Sequence, residues 1–402
     1  MREPPANFPT PVAIAGCGAT TAVGRGVEAL RSALRANSSG LRACEKFDSP
    51  RFQSKITGAI PQTGNDNDNP AWQFATDALE EARSSALEIL KKIPAERIGL
   101  VLSTTKANIA ALERISENRL CSETARRHLQ GNFLAADLAA AHGARGPVQC
   151  VSVACVSGLV AIQQAAKLIQ RGAADAVFVV GVDTLSNFVM AGFTALKAID
   201  PNGCRPFDKD RCGLSPGEAG AAIVLVGQAS SLCSSKSQLD RQDACPTIKI
   251  LGWGGSNDAN HLTGPSRDGS GLARAIRSAL KMSKLLPAEI DYINAHGTGT
   301  PYNDAMESIA LKNVFGEACP PFSGAKGMLG HTLGAAGVVE TILCAIAMQE
   351  KFLPGTPRLN TIAEGVPAGL VREPRSVAKI NRVLKLNTGF GGANGALILG
   401  HE

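Results

Sequence analysis

The length and composition of the chain indicate a globular protein with a large core. It has 402 residues, of which 44% are hydrophobic and 19% are charged. Such a chain buries enough apolar surface to offset the entropy of ordering, so an intrinsically disordered protein is excluded. The formal charge of +6 is spread without a block of like charges, and basic residues do not alternate with aromatic ones, so a nucleic-acid-binding surface is not indicated.

Targeting signals and cysteine usage narrow the class further. We identify no window that approaches the ~18 to 20 apolar residues of a membrane helix, and the proline-broken start MREPPANFPT does not resemble a signal peptide. The 11 cysteines are odd in number and scattered, which favours free thiols in the reducing cytoplasm. Cys204 and Cys212 have no Cys or His partners at zinc-like spacing, so no metal site is predicted.

Short apolar runs alternate along the chain with longer alanine-rich runs of helical periodicity. The predicted strands, in chain order, cover residues 12–15, 98–103, 177–182, 222–226, 247–251, 292–295 and 396–399. The predicted helices cover residues 70–92, 154–171, 270–281 and 334–351, and the polar stretch 62–69 is predicted to be a surface loop. Strands separated by helices predict a mainly parallel sheet covered by helices.

The chain also contains a weak internal repeat. The segments VSVACVSGLVAIQQAAKLIQRG and FSGAKGMLGHTLGAAGVVETILCAIAMQ each contain an apolar strand, a small-residue turn and an Ala/Gly-rich helix. Cys155 lies in the first turn and His331 in the second. Duplicated halves would bring these two helix ends together at a pseudo-twofold axis. We therefore predict two halves, residues 1–245 with the nucleophile and residues 246–402 with two histidines, joined through the polar stretch 230–246.

Cys155 is the candidate nucleophile because it lies where a predicted strand meets a predicted helix. Unpaired amides and the helix dipole at such a position stabilise a thiolate and lower the pKa of the thiol. The small neighbours Ala154, Ser157 and Gly158 leave room for a substrate. The alternative is a buried structural thiol, which is the usual state of a cysteine chosen at random.

Two histidines lie in glycine-spaced turns that suit a catalytic cavity. His296 follows a predicted strand in INAHGTGTPYND, and the carboxyl ends of strands in an α/β sheet face the ligand crevice. His331 lies in KGMLGHTLGAAG, with Lys326 before it and Glu340 after it to orient the ring. A structural role is the alternative for either histidine. The terminal LNTGFGGANGALIL lacks the spacing of a phosphate-binding loop and favours a backbone amide near Phe390 as an oxyanion donor.

Taken in order, these motifs resemble one enzyme family. ACVSG, HGTGTPYND, KGMLGHTLGAAG and GFGGAN are similar to the motifs of elongating β-ketoacyl-acyl-carrier-protein synthases, condensing enzymes of the thiolase superfamily. The resemblance covers essentially the whole chain, including CRPFDKDRCGLSPGEAGA. It implies an α/β thiolase fold, in which two duplicated α/β halves form five α-β-α-β-α layers with the active site between them.

The resemblance implies a catalytic role for five residues. Cys155 would accept an acyl group from a carrier protein, and malonyl-carrier protein would then lose carbon dioxide with the help of His296 and His331. Lys326 and Glu340 would support the histidines. The resulting enolate would attack the acyl-enzyme and release a 3-oxoacyl product, without a redox cofactor.

Further roles are implied around the cavity. The backbone amides of the nucleophile and of Phe390 would form the oxyanion hole, and the Phe390 side chain would act as a gate. Thr298, Thr300 and Asn394 would contact the phosphopantetheine arm that the acyl carrier protein delivers. Lys197 would be a docking contact for that carrier.

Several alternatives remain open at this point. Thiolases use a second catalytic cysteine near the chain end, but here no cysteine follows Cys344. Initiating synthases have asparagine where this chain has His331. The alternatives kept are a non-decarboxylating acyltransferase or condensing enzyme of the same fold, and a non-catalytic partner subunit of a synthase complex. A homodimer and a heterodimer with a chain-length-factor-like subunit are both compatible. The segments 181–193 and 204–208 favour a specialised pathway, such as aryl-polyene assembly, over housekeeping fatty-acid synthesis, and acyl length is left open.

Overall fold

The computed structural model describes residues 10–61, 67–227 and 248–401. Its strands are β1 (Val12–Thr21), β2 (Gly24–Arg25), β3 (Arg42–Ala43), β4 (Ile56–Thr57), β5 (Ile98–Ser103), β6 (Val148–Val151), β7 (Ala176–Asp183), β8 (Ala219–Gly227), β9 (Lys249–Asn257), β10 (Tyr292–Ala295), β11 (Phe322–Gly324), β12 (Phe352–Leu353), β13 (Arg375–Ser376), β14 (Arg382–Gly389) and β15 (Ala393–Gly400). Its helices are α1 (Val27–Arg35), α2 (Pro70–Ser85), α3 (Leu87–Leu90), α4 (Ile109–Ser116), α5 (Glu123–Arg127), α6 (Gly131–Ala141), α7 (Ser157–Gln170), α8 (Asn187–Ala195), α9 (Ser270–Ser283), α10 (Pro301–Phe315), α11 (Lys326–Leu329) and α12 (Ala336–Glu350).

One large sheet contains the same strand arrangement twice. Its order is β11-β10-β14-β15-β9-β1-β8-β7-β5-β6, with β2 paired to β1. The two halves of the sheet are β1-β8-β7-β5-β6 and β9-β15-β14-β10-β11. When the strands of each half are numbered along the chain, both halves have the same spatial order. Their parallel and antiparallel pairs also occur at the same places. A short antiparallel contact between β1 and β9 joins the two arrangements. The internal repeat in the sequence therefore corresponds to a repeat in topology.

Three hydrophobic clusters define five layers. Alternate residues along β7 and β8 face either α2 and α6 on the outside or α7 and α12 in the centre. Alternate residues along β14 and β15 likewise face α9 and α10 on the outside or the same central helices. This period of two is expected for strands buried on both faces. The five-layered α-β-α-β-α arrangement is thus confirmed, with α7 and α12 as its middle layer.

The prediction of a mainly parallel sheet is wrong. Only the three outer strands at each end run parallel to their neighbours, whereas β1, β8, β9 and β15 pair antiparallel with their neighbours. A strand buried on both faces is a continuous apolar run whatever its direction, so hydrophobicity does not reveal how it pairs. The predicted helix over residues 70–92 is also divided, because the backbone of Ala86 leaves the helical region between α2 and α3.

The middle layer contains a long apolar helix that differs from the sequence-based expectation. Among the described residues, Leu333–Glu350 is long and apolar enough to cross a membrane by length and composition, with a mean hydropathy of 1.4 over 18 residues. The statement that no window approaches a membrane helix is therefore wrong. Within the structure 89% of this window is buried, as expected for a helix with protein layers on both sides.

Some predictions fall on residues outside the described ranges. They concern the N-terminal residues 1–9, residues 62–66 of the predicted surface loop, the whole of the predicted connection 230–246, and residue 247 of the predicted strand 247–251. The division of the chain at residues 245 and 246 falls in the same undescribed stretch and stays a prediction. Of the 11 cysteines, the nine that lie in the described ranges are free.

Candidate active site

Cys155 lies in a tight turn between β6 and α7. Ala154 has a φ of 44°, left-handed backbone that costs a residue with a Cβ roughly 1–2 kcal/mol. The Ser157 hydroxyl holds this turn, since it accepts a hydrogen bond from the Val153 amide at 2.7 Å and donates to the Ala154 carbonyl at 2.6 Å. The Cys155 side chain is only 8% exposed. The chain thus presents the thiol at the start of a buried helix.

The two repeat-related helices meet directly beside the nucleophile. A Cβ added to Gly158 of α7 would lie 2.7 Å from the Gly337 Cα of α12, closer than real Cβ atoms approach a neighbouring backbone. Two facing glycines therefore let the N-terminal ends of α7 and α12 touch. This close approach brings the turn that carries Cys155 next to the turn that carries His331, as the internal repeat predicts.

The predicted thiolate is not supported by the surroundings of Cys155. Burial raises the pKa of this thiol to about 11, and the positive charges of Lys326 and Lys106 only partly oppose that rise. The expectation of a pKa lowered by the helix N-terminus is therefore corrected. Desolvation outweighs the favourable charges, so the resting site holds a protonated thiol near neutral pH.

His296 is held by contacts on both its backbone and its ring. Its amide donates to Glu307 Oε1 at 2.6 Å. The ring nitrogen Nδ1 lies 3.2 Å from Lys326 Nζ and 2.9 Å from Asn387 Nδ2. Both neighbours are donors, since Lys326 is an ammonium group and the Asn387 amide nitrogen also donates to Glu340 Oε2 at 3.1 Å. Nδ1 must therefore accept, which leaves the proton on Nε2.

A buried ion cluster contacts the His296 ring on the side away from the cavity. Glu340 binds Lys326 Nζ at 2.7 Å and Lys385 Nζ at 2.9 Å. Lys326 uses its remaining donors on the His296 carbonyl, at 2.6 Å, and on the ring. Burial opposes ionisation of Glu340, but the two ammonium groups outweigh it and lower the pKa of the carboxyl to about 2. The cluster carries one net positive charge.

His331 is held in the same tautomer by a different hydrogen bond. Its Nδ1 accepts a hydrogen bond from the Leu333 amide at 3.2 Å, and Leu333 adopts a φ of 52°. Its own amide donates to the Ser215 carbonyl at 2.7 Å. The ring meets that of His296 edge to face, with centroids 5.2 Å apart. Burial and nearby positive charge keep the pKa of both imidazoles well below the usual value, so both are neutral and have an Nε2 proton.

A single cavity of about 790 Å³ connects the nucleophile and the histidines with the surface. Cys155, His296 and His331 are buried, while Tyr302 and Lys197 at its other end are exposed. The structure therefore brings the three predicted reactive side chains together in one accessible site. Lys326 and Glu340 do not line the cavity and act from behind it. Among the described residues no group of His, Cys, Asp or Glu side chains could hold a metal ion.

The terminal loop approaches the nucleophile closely. The Phe390 backbone faces the Cys155 thiol and favours its ionised form, which lowers the pKa, and a Cβ added to Gly389 would lie 3.2 Å from the Cys155 backbone nitrogen. A side chain larger than glycine would crowd the space between the Phe390 and Cys155 amides. The Phe390 ring lies in the same cavity, is partly exposed and contacts the ring of Phe193 with centroids 6.1 Å apart. This geometry is compatible with the predicted oxyanion hole and gate.

The predicted arm-binding residues also line the cavity, but they are partly engaged. The hydroxyls of Thr298 and Thr300 lie 2.8 Å apart, and Thr300 caps the N-terminus of α10. The Asn394 amide nitrogen donates to Asp258 at 2.7 Å and to the Gly392 carbonyl, so it holds the terminal loop in place. Lys197 is exposed at the rim of the cavity, and its docking role stays a prediction.

The sequence analysis missed several residues of the site, and three of them are buried polar side chains. Lys385 and Asn387 lie two residues apart on β14, a strand that the sequence analysis did not predict. Both are buried against α12. Buried Asp183 binds the loop at Thr105 and the Gly334 amide after His331, at 2.7 Å for the latter. An acidic residue directly after the predicted strand 177–182 was the available signal.

Comparisons with known proteins agree with this arrangement. Residues 9–230 match the N-terminal domain and residues 248–360 the C-terminal domain of β-ketoacyl synthase. The 3-oxoacyl-[acyl-carrier-protein] synthase 2 of Vibrio cholerae is 32% identical over 417 residues, which cover 96% of this chain and 98% of that protein.

Solved structures give the same result. The ishigamide ketosynthase/chain length factor superposes with a TM-score of 0.89 at 29% identity, over 98% of this chain and 100% of that one. A ketosynthase in complex with its chain length factor from Xenorhabdus doucetiae gives a TM-score of 0.84 at 29% identity over the whole of both chains. The chain therefore has the thiolase fold and belongs to the β-ketoacyl synthase family of acyltransferase-type condensing enzymes.

Proposed function

We propose that the protein is a 3-oxoacyl-[acyl-carrier-protein] synthase that joins an enzyme-bound acyl group to malonyl-carrier protein with loss of carbon dioxide. The observation that carries this proposal is the shared cavity of one thiol and two neutral imidazoles, each with its Nδ1 accepting and its Nε2 protonated. The arrangement supplies a nucleophile for acyl transfer and two hydrogen-bond donors for a developing oxyanion.

Acyl transfer comes first. The Cys155 sulfur attacks the thioester carbonyl of the acyl-carrier protein, the bond to the arm's sulfur breaks, and the proton of the Cys155 thiol leaves with the carrier thiol. Because the thioester is conserved, the step needs no net proton acceptor and no cofactor of the enzyme's own. The amides of Cys155 and Phe390 would bind the oxygen of the tetrahedral intermediate. Lys326 and Lys106 favour the negative sulfur that forms during attack.

Decarboxylation and condensation follow at the histidines. The malonyl thioester loses carbon dioxide, and the electron pair of the broken bond forms an enolate with its charge on the thioester oxygen. The Nε2 protons of His296 and His331 donate to that oxygen in a cavity whose inner end is largely closed to water. The enolate carbon then attacks the carbonyl of the Cys155 thioester and displaces the Cys155 thiolate, which takes up one proton from solvent to restore the thiol. Thr298, Thr300 and Asn394 would hold the phosphopantetheine arm, and Lys197 would contact the carrier.

A direct experiment separates the two half-reactions. Cys155→Gln places an amide where the acyl-enzyme would be, so we expect it to lose condensation and to retain decarboxylation of malonyl-carrier protein, measured as carbon dioxide release. His296→Ala should lose both. If the wild-type protein transferred acyl groups to Cys155 but released no carbon dioxide, the alternative of a non-decarboxylating acyltransferase would replace this proposal.

The proposal that the chain is catalytic, and not only a scaffold subunit, has its own test. An acyl-pantetheine-like electrophile, such as a chloroacetyl pantetheine, is expected to label Cys155 first because the cavity leads to that thiol. Labelling is located by peptide mass spectrometry, with Cys155→Ala as the control. Labelling spread evenly over the cysteines would favour the scaffold alternative.

We further propose that the chain pairs with a second ketosynthase-like chain through its N-terminal half. Strand β6 is at the end of the sheet, and Val148 at its start is exposed. The N-terminal half also has large exposed apolar side chains elsewhere, with Leu120 at 89% and Phe188 at 62% exposure. The opposite end strand, β11, is buried. An uncovered apolar edge of this kind favours strand pairing with another chain.

The likeness to ketosynthases solved with a chain length factor supports a heterodimer over a homodimer. Gel filtration of the chain alone and with a candidate chain-length-factor-like subunit distinguishes the two, and Val148→Glu should weaken either assembly. A fully active monomer would contradict the proposal. The acyl length and a specialised pathway stay predictions, which mass spectrometry of the acyl group trapped on Cys155 would test. The cytoplasmic location also stays a prediction.

A further inference from the structure

Strand β14 supplies two polar side chains that the proposed reaction does not assign. Lys385 and Asn387 are both fully buried. They alternate with Leu384 and Leu386, which belong to the outer hydrophobic cluster against α9 and α10. Their own side chains face the opposite way, toward Glu340 of α12. A buried lysine and a buried asparagine in the middle of a sheet are costly unless their contacts compensate.

Asn387 contacts the His296 ring directly, and Lys385 is connected to it through Glu340. Lys385 Nζ binds Glu340 Oε2 at 2.9 Å, the Leu386 carbonyl, and the Asn294 carbonyl at 3.5 Å. Asn387 Nδ2 is shared between Glu340 Oε2, at 3.1 Å, and His296 Nδ1, at 2.9 Å. The Glu340 carboxylate can only accept, so it fixes which end of the Asn387 amide faces the imidazole.

We propose that Lys385 and Asn387 are positioning residues that hold the His296 imidazole neutral, with its proton on Nε2 directed to the substrate. Asn387 occupies Nδ1 with an N–H donor, which excludes the other tautomer. Lys385 pairs with the second oxygen of Glu340. Glu340 can then orient the Asn387 amide, and its negative charge is balanced, so it does not favour protonation of the His296 ring. The inference rests on the proposed condensation and adds two residues to it.

Charge supports the same assignment. The titratable groups that face His296 are those of Lys326, Lys385, His331, Glu340 and Glu307, and the two lysines are opposed by Glu340. With Lys385 present, a proton added to Nδ1 would lie beside the ion cluster of Lys326, Lys385 and Glu340, whose formal charge is positive. Without Lys385, the cluster of Lys326 and Glu340 is neutral, and protonation of the ring becomes less unfavourable. Glu307 is engaged by the backbone amides of His296 and Gly297 and stays the same in both cases.

The first test replaces the charge. Lys385→Met is expected to lower kcat for carbon dioxide release by between about 10-fold and 100-fold and to move the acidic limb of the pH–rate profile to higher pH. Lys249→Met is the matched control, since Lys249 is another buried lysine on a strand and does not line the cavity. It should leave the position of the acidic limb unchanged. A Lys385→Met enzyme with lower thermal stability but an unmoved acidic limb would show that Lys385 is only structural.

The second test inverts the hydrogen bond. Asn387→Asp places an acceptor at Nδ1 and should shift the ring proton from Nε2 to Nδ1. Nitrogen NMR of histidine-labelled protein reads this tautomer without any turnover. Decarboxylation, which uses the Nε2 donor, should fall by about 100-fold or more, whereas acylation of Cys155 should fall much less. Equal losses in both half-reactions, or an unchanged tautomer of His296, would overturn the proposal.

The failure of this inference is distinguishable from failure of the proposed function. A wild-type protein that releases no carbon dioxide would contradict the proposed function, and the NMR tautomer would then still test Asn387. An active wild-type enzyme whose tautomer and acidic limb are unaffected by either substitution would contradict only the assignment of Lys385 and Asn387.

Discussion

Substitution of Glu340 is the most informative single perturbation of this structure. The carboxylate is buried in α12 and bridges two ammonium groups, Lys326 at 2.7 Å and Lys385 at 2.9 Å. Glu340→Gln retains the shape and removes the negative charge. Two buried cations then remain with no anion between them. We expect a loss of stability together with a disturbed His296.

The magnitude follows from the charge balance. A carboxyl pKa lowered from 4.5 to about 2 corresponds to a native-state stabilisation of about 3 kcal/mol, at about 1.4 kcal/mol per pKa unit. Loss of one partner from a buried ion pair costs a similar amount, about 3–5 kcal/mol. With a melting entropy of about 2 cal/mol/K per residue, a chain of 402 residues should lose roughly 4 °C in Tm. Because the native pKa lies below the unfolded one, this contribution is complete above about pH 4.5 and is lost as the pH falls toward 2.

Differential scanning calorimetry at pH 7.5 measures the effect. Glu364→Gln, at an exposed position, is the control and should leave Tm nearly unchanged. The double variant Glu340→Gln with Lys385→Met should recover part of the loss, because it leaves one unpaired cation instead of two. An unchanged Tm in Glu340→Gln, or strictly additive losses in the double variant, would refute the proposed charge balance.

Three further predictions concern the neighbourhood of the nucleophile. Gly158→Ala should lower the free energy of unfolding by about 1–3 kcal/mol, because its Cβ would meet Gly337 at 2.7 Å. A denaturant unfolding midpoint equal to that of the wild type would contradict the close contact between α7 and α12. Gly389→Ala should reduce condensation at least 10-fold with little change in Tm, since the added methyl group would crowd the Cys155 amide at 3.2 Å; full turnover would argue against an oxyanion hole there. Iodoacetamide at pH 7 should modify exposed Cys212 before Cys155, and modification of Cys155 should accelerate as pH rises toward its pKa of about 11; peptide mass spectrometry showing Cys155 modified first at pH 7 would contradict the raised pKa.

The reactive residues were largely predictable because their signals are local. Cys155, His296 and His331 each lie in a turn of small residues that follows or precedes a clear apolar element, and all three line the same cavity. The repeated pattern around Cys155 and His331 also predicted that α7 and α12 would meet, and their glycines do. Such features depend on a few neighbouring residues, which a sequence displays directly.

Other features depend on residues that are distant in sequence. The direction of β8 and β15 was missed because a strand buried on both faces is apolar whichever way it pairs. Lys385 and Asn387 were missed together with β14, the strand that carries them. Their alternation with leucines is the same whether the polar face meets water or a buried carboxylate, and only the packing of α12 against β14 decides between the two.

By itself, the sequence indicated the strand, turn and helix of each repeat segment and the candidate roles of Cys155, His296 and His331, since turn chemistry and apolar periodicity are local properties, but it did not predict β14. The tertiary structure alone decided the ionisation and tautomers of these groups. Burial raises the pKa of Cys155 against the helix terminus, and Asn387 and the Leu333 amide fix the imidazole protons. The physical reason is that desolvation and hydrogen bonding depend on which distant segments surround a group.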